Sequence, residues 1–163
     1  MEGKNYINGA FVDGTSGDRF ESRNPANFDE ILGTFPLSSE QDVNNAVSAA
    51  KTAYDGWRRL SRIKRGEHFD EFVQLLKKDR EEISRLVTKE CGKGIVEGRA
   101  DVTEGIHMVQ YTFGTVRMPH GDVVDSEISE KDAFMRRKPK GVVAAISPWN
   151  FPFAIPLWLI CPS

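Results

Sequence analysis

Ser147-Pro148-Trp149-Asn150-Phe151-Pro152 directly follows the apolar run Gly141-Val142-Val143-Ala144-Ala145-Ile146. A continuous apolar run of this length predicts a parallel strand buried on both faces. Pro148 and Pro152 fix φ on either side of Asn150 and donate no backbone hydrogen bond. One carboxamide is thereby held in a stiff turn at the end of a strand, which is what an oxyanion site requires. Its NH2 can donate to an oxygen that becomes negative as a carbonyl is attacked, worth about 2.7–4 kcal/mol in a well-placed hole. The plainer reading is a turn asparagine whose side chain binds its own backbone.

Upstream of the strand, residues 122–127 and 133–138 read as a polar two-stranded excursion joined through Ser129-Glu130-Lys131-Asp132. Strands this hydrophilic bury little in their own domain. They suit either addition to another subunit's sheet or an ordinary surface hairpin. Before them come four helices. Ser38 or Ser39 caps the first, with Gln41 or Asp42 three residues on, and Val43, Ala46, Val47, Ala50, Ala53, Tyr54 and Trp57 form its apolar face. The second begins near Ser61 and buries Ile63, Phe69, Phe72, Val73 and Leu76. The third carries Ile83, Leu86 and Val87 and stops at Gly92, while the fourth spans about 95–116 through Val102, Ile106, Val109 and Phe113.

The chain opens on an antiparallel arm. Asn8-Gly9 supplies the positive-φ pair of a type I′ hairpin in Tyr6-Ile7-Asn8-Gly9-Ala10-Phe11-Val12, and strands around 20–23 and 31–35 flank a loop at Asn24-Pro25.

A globular domain of 163 residues, 39% hydrophobic and 28% charged, buries roughly 68–70% of its unfolded surface. A net charge of −2 gives no electrostatic case for nucleic acid, and the local basic runs (Arg58 to Arg65, Arg136 to Lys140) read as solvated faces. Cys91 and Cys161 lie far apart, and with His68, His107 and His120 they form no metal-ligand pattern. This usage fits a reducing compartment, hence the cytoplasm. The N-terminus has no apolar h-region of a secretory signal. Residues 141–162 carry no charge and are long enough to span a bilayer. Four prolines interrupt them, however, and would strip backbone bonds that lipid cannot replace. Neither a dinucleotide-binding G-x-G-x-x-G nor a phosphate loop is present, since Gly92-Lys93 is followed by Gly94.

Pro139-Lys140-Gly141-Val142-Val143 followed by Ile146-Ser147-Pro148-Trp149-Asn150-Phe151-Pro152 resembles the segment that marks the NAD(P)-dependent aldehyde dehydrogenase superfamily. The resemblance extends along the chain. Tyr6-Ile7-Asn8-Gly9 is similar to the family's opening hairpin, Asn24-Pro25-Ala26 to its next turn, and Glu90-Cys91-Gly92-Lys93 with Glu97 to its helix-end motif.

This resemblance implies an α/β fold, the N-terminal part of the cofactor-binding domain: hairpin arm, four helices and the start of a parallel Rossmann-like sheet. It divides the chain into 1–117 within that domain, an oligomerisation arm at 118–138, and the first strand and turn at 139–163. Asn150 would donate to the oxyanion of a cysteine thiohemiacetal. Ile146, Ser147, Pro148 and Trp149 would line the cofactor cleft for NAD or NADP, largely through backbone atoms. Phe151, Ile155 and Trp158 would face the aldehyde tunnel, although Leu159 stands where a lysine often follows that tryptophan. Ser22 and Glu90 match positions that hold a monovalent cation in some relatives.

The implied parent enzyme oxidises an aldehyde to a carboxylic acid and assembles as a homo-oligomer through the arm. In the family the nucleophilic cysteine and the glutamate base lie well C-terminal to the Pro-Trp-Asn segment. The expectation is therefore a fragment that is inactive alone. The alternative is a non-catalytic truncated module that associates with full-length subunits.

Overall fold

The computed structural model describes residues 1–163. Strand β1 (Asn5–Ile7) pairs antiparallel with β2 (Ala10–Val12). Asn8 (φ 52°) and Gly9 (φ 78°) make the expected type I′ turn between them. Tyr6 lies opposite Phe11, with ring centroids 5.0 Å apart. A second hairpin joins β3 (Arg19–Asn24) to β4 (Asn27–Pro36). At its tip the Asn24 side chain accepts from the Ala26 N–H at 2.9 Å, an Asx turn that positions Pro25. The Arg19 guanidinium donates to the Gly3 and Thr34 carbonyls (2.7 and 3.0 Å) and ties the N-terminal segment to this sheet.

Helix α1 (Glu40–Arg59) starts at a full capping box: Ser39 accepts from the Asp42 N–H, and Asp42 accepts from the Ser39 N–H at 2.7 Å. Ser61 caps α2 (Arg62–Lys78). Helix α3 (Arg80–Cys91) ends on Gly92 in the left-handed region (φ 65°), and α4 (Ile95–Thr115) follows. Because α2 and α3 both pack on α4, the core is a helix-on-helix cluster of Val73, Leu76, Val87, Val102, Ile106 and Val109. A short helix α5 (Ala154–Ile160) completes it, with Ala154 and Leu157 of the helix and Cys161 just past its end buried. The α1 stripe is left open: Val43, Val47 and Trp57 are all exposed.

The polar excursion is a hairpin of β5 (Gly121–Asp125) and β6 (Asp132–Arg136) in register Val123 to Phe134. Both residues of that pair are exposed.

One expectation is corrected. Residues 142–146 form no strand, and Ile146 is 88% exposed. The reason lies in pairing. All six strands of the chain are locked into three separate two-stranded antiparallel sheets, so none lies beside this segment to make a parallel ladder. An apolar run is buried on two faces only where a sheet already exists to receive it. The α/β composition stands, but the parallel sheet is absent from these residues.

Candidate active site

Gly92 turns the chain sharply between α3 and α4, and the residues around it reach the Pro-Trp-Asn turn. The Cys91 thiol donates to the Trp149 carbonyl at 3.5 Å. The Lys93 Nζ donates to the Asn150 carbonyl at 3.0 Å and sits 4.8 Å from the centroid of the Phe151 ring. The same ammonium lies 3.3 Å from Asp101 Oδ2, while Asp101 Oδ1 accepts the Ala154 N–H at 2.8 Å. Asp101 is 0% exposed and the Lys93 side chain 15%. An ion pair this buried holds only when further hydrogen bonds satisfy both charges, and here the turn supplies them.

The main chain of Asn150 is thus pinned, while its carboxamide is exposed and makes no hydrogen bond within the chain. The plainer reading, a side chain bound to its own backbone, is overturned. Between the turn and the α3–α4 junction lies an open cleft of about 710 Å³, lined by Pro25, Glu90, Cys91, Lys93, Glu97, Ala100 and residues 149–152. Burial pushes the Cys91 thiol above its ordinary range; the nearby Lys93 charge opposes this, and Asp101 and Glu90 add to it. Burial alone raises Cys161. Neither thiol is placed or ionised as a ready nucleophile.

The other residues singled out from sequence fall in three groups. Ser147, Pro148 and Trp149 (85% exposed) lie with Ile146 on the open side of the turn. No backbone group from 141 to 148 is hydrogen-bonded within the chain.

Phe151 and Trp158 are exposed and Ile155 half-buried; Ile155 and Trp158, three apart, share a flank of α5 beside the face buried on α4, and Phe151 lies just before the helix. Ser22 and Glu90 do meet, with the Ser22 hydroxyl donating to Glu90 Oε1 at 2.9 Å. No group of three or more His, Cys, Asp or Glu side chains is placed to hold a metal ion.

Sequence reasoning missed Asp101 and gave Lys93 no role. A signal was present, because Asp101 is an acid inside the buried stripe Gly98, Val102, Gly105, Ile106 and Val109 of α4, a position that demands a partner. No helix is long and apolar enough to cross a membrane.

An alpha-ketoglutaric semialdehyde dehydrogenase of Bacillus subtilis (strain 168) is 39% identical over 161 residues, covering 98% of this chain and 33% of that protein. A putative methylmalonate-semialdehyde dehydrogenase from Sinorhizobium meliloti 1021, solved in complex with NAD, superposes with a TM-score of 0.86 at 32% identity. It covers 97% of this chain and 32% of its own. An NADP-dependent enzyme of E. coli matches with a TM-score of 0.89 at 28% identity, over 96% of this chain and 32% of that one. The chain therefore spans about a third of the length of these relatives. The model of the aldehyde dehydrogenase family matches residues 11–163, nearly the whole sequence, and the chain belongs to that family.

Proposed function

We propose that this chain supplies the N-terminal part of the cofactor-binding domain of an enzyme that oxidises an aldehyde to a carboxylic acid with NAD or NADP. The observation that carries the reading is the Asn150 carboxamide: free of partners, next to a main chain pinned by Lys93. A cysteine thiolate supplied by residues outside these 163 adds to the aldehyde carbon, and the carbonyl π electrons move onto oxygen. Asn150 donates its N–H to that developing oxyanion of the thiohemiacetal, an interaction stronger in the transition state than in the ground state. A bound nicotinamide would supply the acceptor for the hydride that leaves the thiohemiacetal carbon as the oxyanion electrons reform a carbonyl and give the thioester. Water, deprotonated by a glutamate base also outside this chain, then cleaves the resulting thioester and releases the carboxylate.

In this reading Ile146, Ser147, Pro148 and Trp149 flank the cofactor through main-chain atoms, and Phe151, Ile155 and Trp158 form an apolar wall for the aldehyde. The semialdehydes named for the relatives make an aldehyde bearing a second, acidic group the first substrate to assay. Residues 1–117 and 139–163 form the cofactor-side body, and 118–138 an arm that assembles a cytoplasmic homo-oligomer. The exposed Val123 and Phe134 of the β5–β6 hairpin support the arm, since an uncovered apolar cross-strand pair favours a partner sheet. The contact between Ser22 and Glu90 supports a monovalent cation there.

The test is NAD(P)H formation from a semialdehyde. The purified 163-residue chain is expected to give none, because neither Cys91 nor Cys161 is an available thiolate, whereas the complete dehydrogenase turns over. Turnover by the short chain, with its mass verified, would overturn the division of labour.

A further inference from the structure

We propose that Asp101 and Lys93 act together as a positioning device for the Asn150 carboxamide, an inference that rests on the oxyanion reading above. The five residues Asn150 to Ala154 are held at both ends by one carboxylate. Asp101 Oδ1 takes the Ala154 N–H at 2.8 Å, where α5 begins. Asp101 Oδ2 takes the Lys93 ammonium at 3.3 Å, which in turn donates to the Asn150 carbonyl at 3.0 Å. The Phe151 ring lies 4.8 Å from that ammonium.

Asp101 cannot follow the loop if the loop moves. It is fully buried in the middle of α4, with Val102 beside it and Gly98 and Gly105 one turn away. Gly105 in turn leaves room for Phe153 and Leu157, since an added Cβ there would stand 2.6 Å from the Phe153 ring. Two hydrogen bonds, one made by Asp101 directly and one through Lys93, therefore fix the main chain on either side of Phe151-Pro152-Phe153. Pro152 and Pro148 stiffen what lies between and before.

A carboxylate that merely capped α5 would need only Oδ1. The second oxygen, the lysine and its bond to the Asn150 carbonyl extend the hold from the helix to the reacting group. Misplacing a reacting group by about 1 Å costs on the order of 10²-fold in rate, so this distance from the chemistry does not make the pair dispensable.

The test compares D101N, K93M, K93R and N150A in the complete dehydrogenase, with the Asn150 side-chain amide resonances and amide hydrogen exchange followed in the 163-residue chain. Asp101→Asn keeps an acceptor for Ala154 but loses the ion pair; Lys93→Met keeps length and loses the charge. Each is expected to lower kcat by about 10²-fold with aldehyde KM little changed. Each should also speed exchange from 150 to 157 while α2, α3 and α4 stay protected, and shift the Asn150 amide signals. Lys93→Arg is expected to recover most of the rate.

Unchanged kcat in both variants overturns the proposal, as does a loss shared equally by exchange across all helices, which marks a merely structural pair. If Asp101→Asn fails to fold, the contrast between Lys93→Met and Lys93→Arg decides alone. Loss of rate in N150A without loss in D101N or K93M sinks the positioning role and leaves the oxyanion reading. No loss in N150A sinks the oxyanion reading itself.

Discussion

Replacing Gly92 with alanine perturbs the hinge from which Cys91 and Lys93 both reach the turn, and its effect can be worked out from two contacts and one angle. Gly92 sits at φ 65°, where a side chain costs roughly 1–2 kcal/mol. The added Cβ would stand 2.9 Å from Pro25 Cγ and 3.1 Å from the Ala26 backbone nitrogen. The second neighbour is main chain, fixed by the Asx turn from Asn24, so it cannot step aside cheaply. Overpacking of this kind adds about 1–3 kcal/mol. A combined loss of roughly 2–5 kcal/mol follows. With an m-value of about 2 kcal/mol per molar urea, the midpoint of unfolding falls by about 1–2.5 M.

Gly114 serves as the control. It lies within α4, and an added Cβ meets nothing within 4 Å. Gly114→Ala should therefore stabilise by about 0.5–1 kcal/mol through helix propensity. Urea titrations followed by far-ultraviolet circular dichroism compare the two. A Gly92→Ala midpoint at or above the unsubstituted value would refute the argument that this glycine is required by conformation and space.

Two further outcomes rest on charge. Hydrogen bonds from Arg99 (3.0 and 2.8 Å), aided by Arg85, hold the Glu81 carboxyl at about 2, below its ordinary 4.5. A depressed folded-state value stabilises above the ordinary value and loses that contribution as pH falls towards about 2. Glu81→Gln should accordingly flatten the acid limb of the stability profile between about 4.5 and 2, and an unchanged acid limb in urea titrations at stepped pH would contradict this. Burial raises the Cys91 thiol while Lys93 opposes the rise. Alkylation by iodoacetamide, read peptide by peptide in a mass spectrometer, should be slower at Cys91 than at a free cysteine at the same pH, and slower still after Lys93→Met. Faster labelling in either protein would show the thiol is more ionised than its surroundings allow.

What the sequence revealed, and what it hid, follows the range of the interactions involved. The Asn8-Gly9 turn, the Ser39 capping box and the Gly92 helix stop each depend on residues a few positions apart, so their chemistry is written locally. The α4 stripe was likewise readable from spacing. The Asp101 clamp was not, because its partner Ala154 lies 53 residues away and only the packing of α5 on α4 brings them together. The run 142–146 misled for a related reason. Its apolar side chains state a preference for a sheet interior, but a parallel ladder needs neighbours that none of this chain's strands provides. For Asn150, sequence left two readings open, and it gave no hint of the lysine 57 positions earlier that takes up its carbonyl. A bond of that separation leaves no local trace.

The central claim is that the Asn150 carboxamide is presented to a developing oxyanion, and the most direct measurement is the split between kcat and KM for Asn150→Ala in the complete dehydrogenase. Removal of one such donor is expected to lower kcat by about 10²–10³-fold with aldehyde KM nearly unchanged, because the lost interaction exists only in the transition state. An unchanged kcat, or a loss carried wholly by KM, would contradict the account.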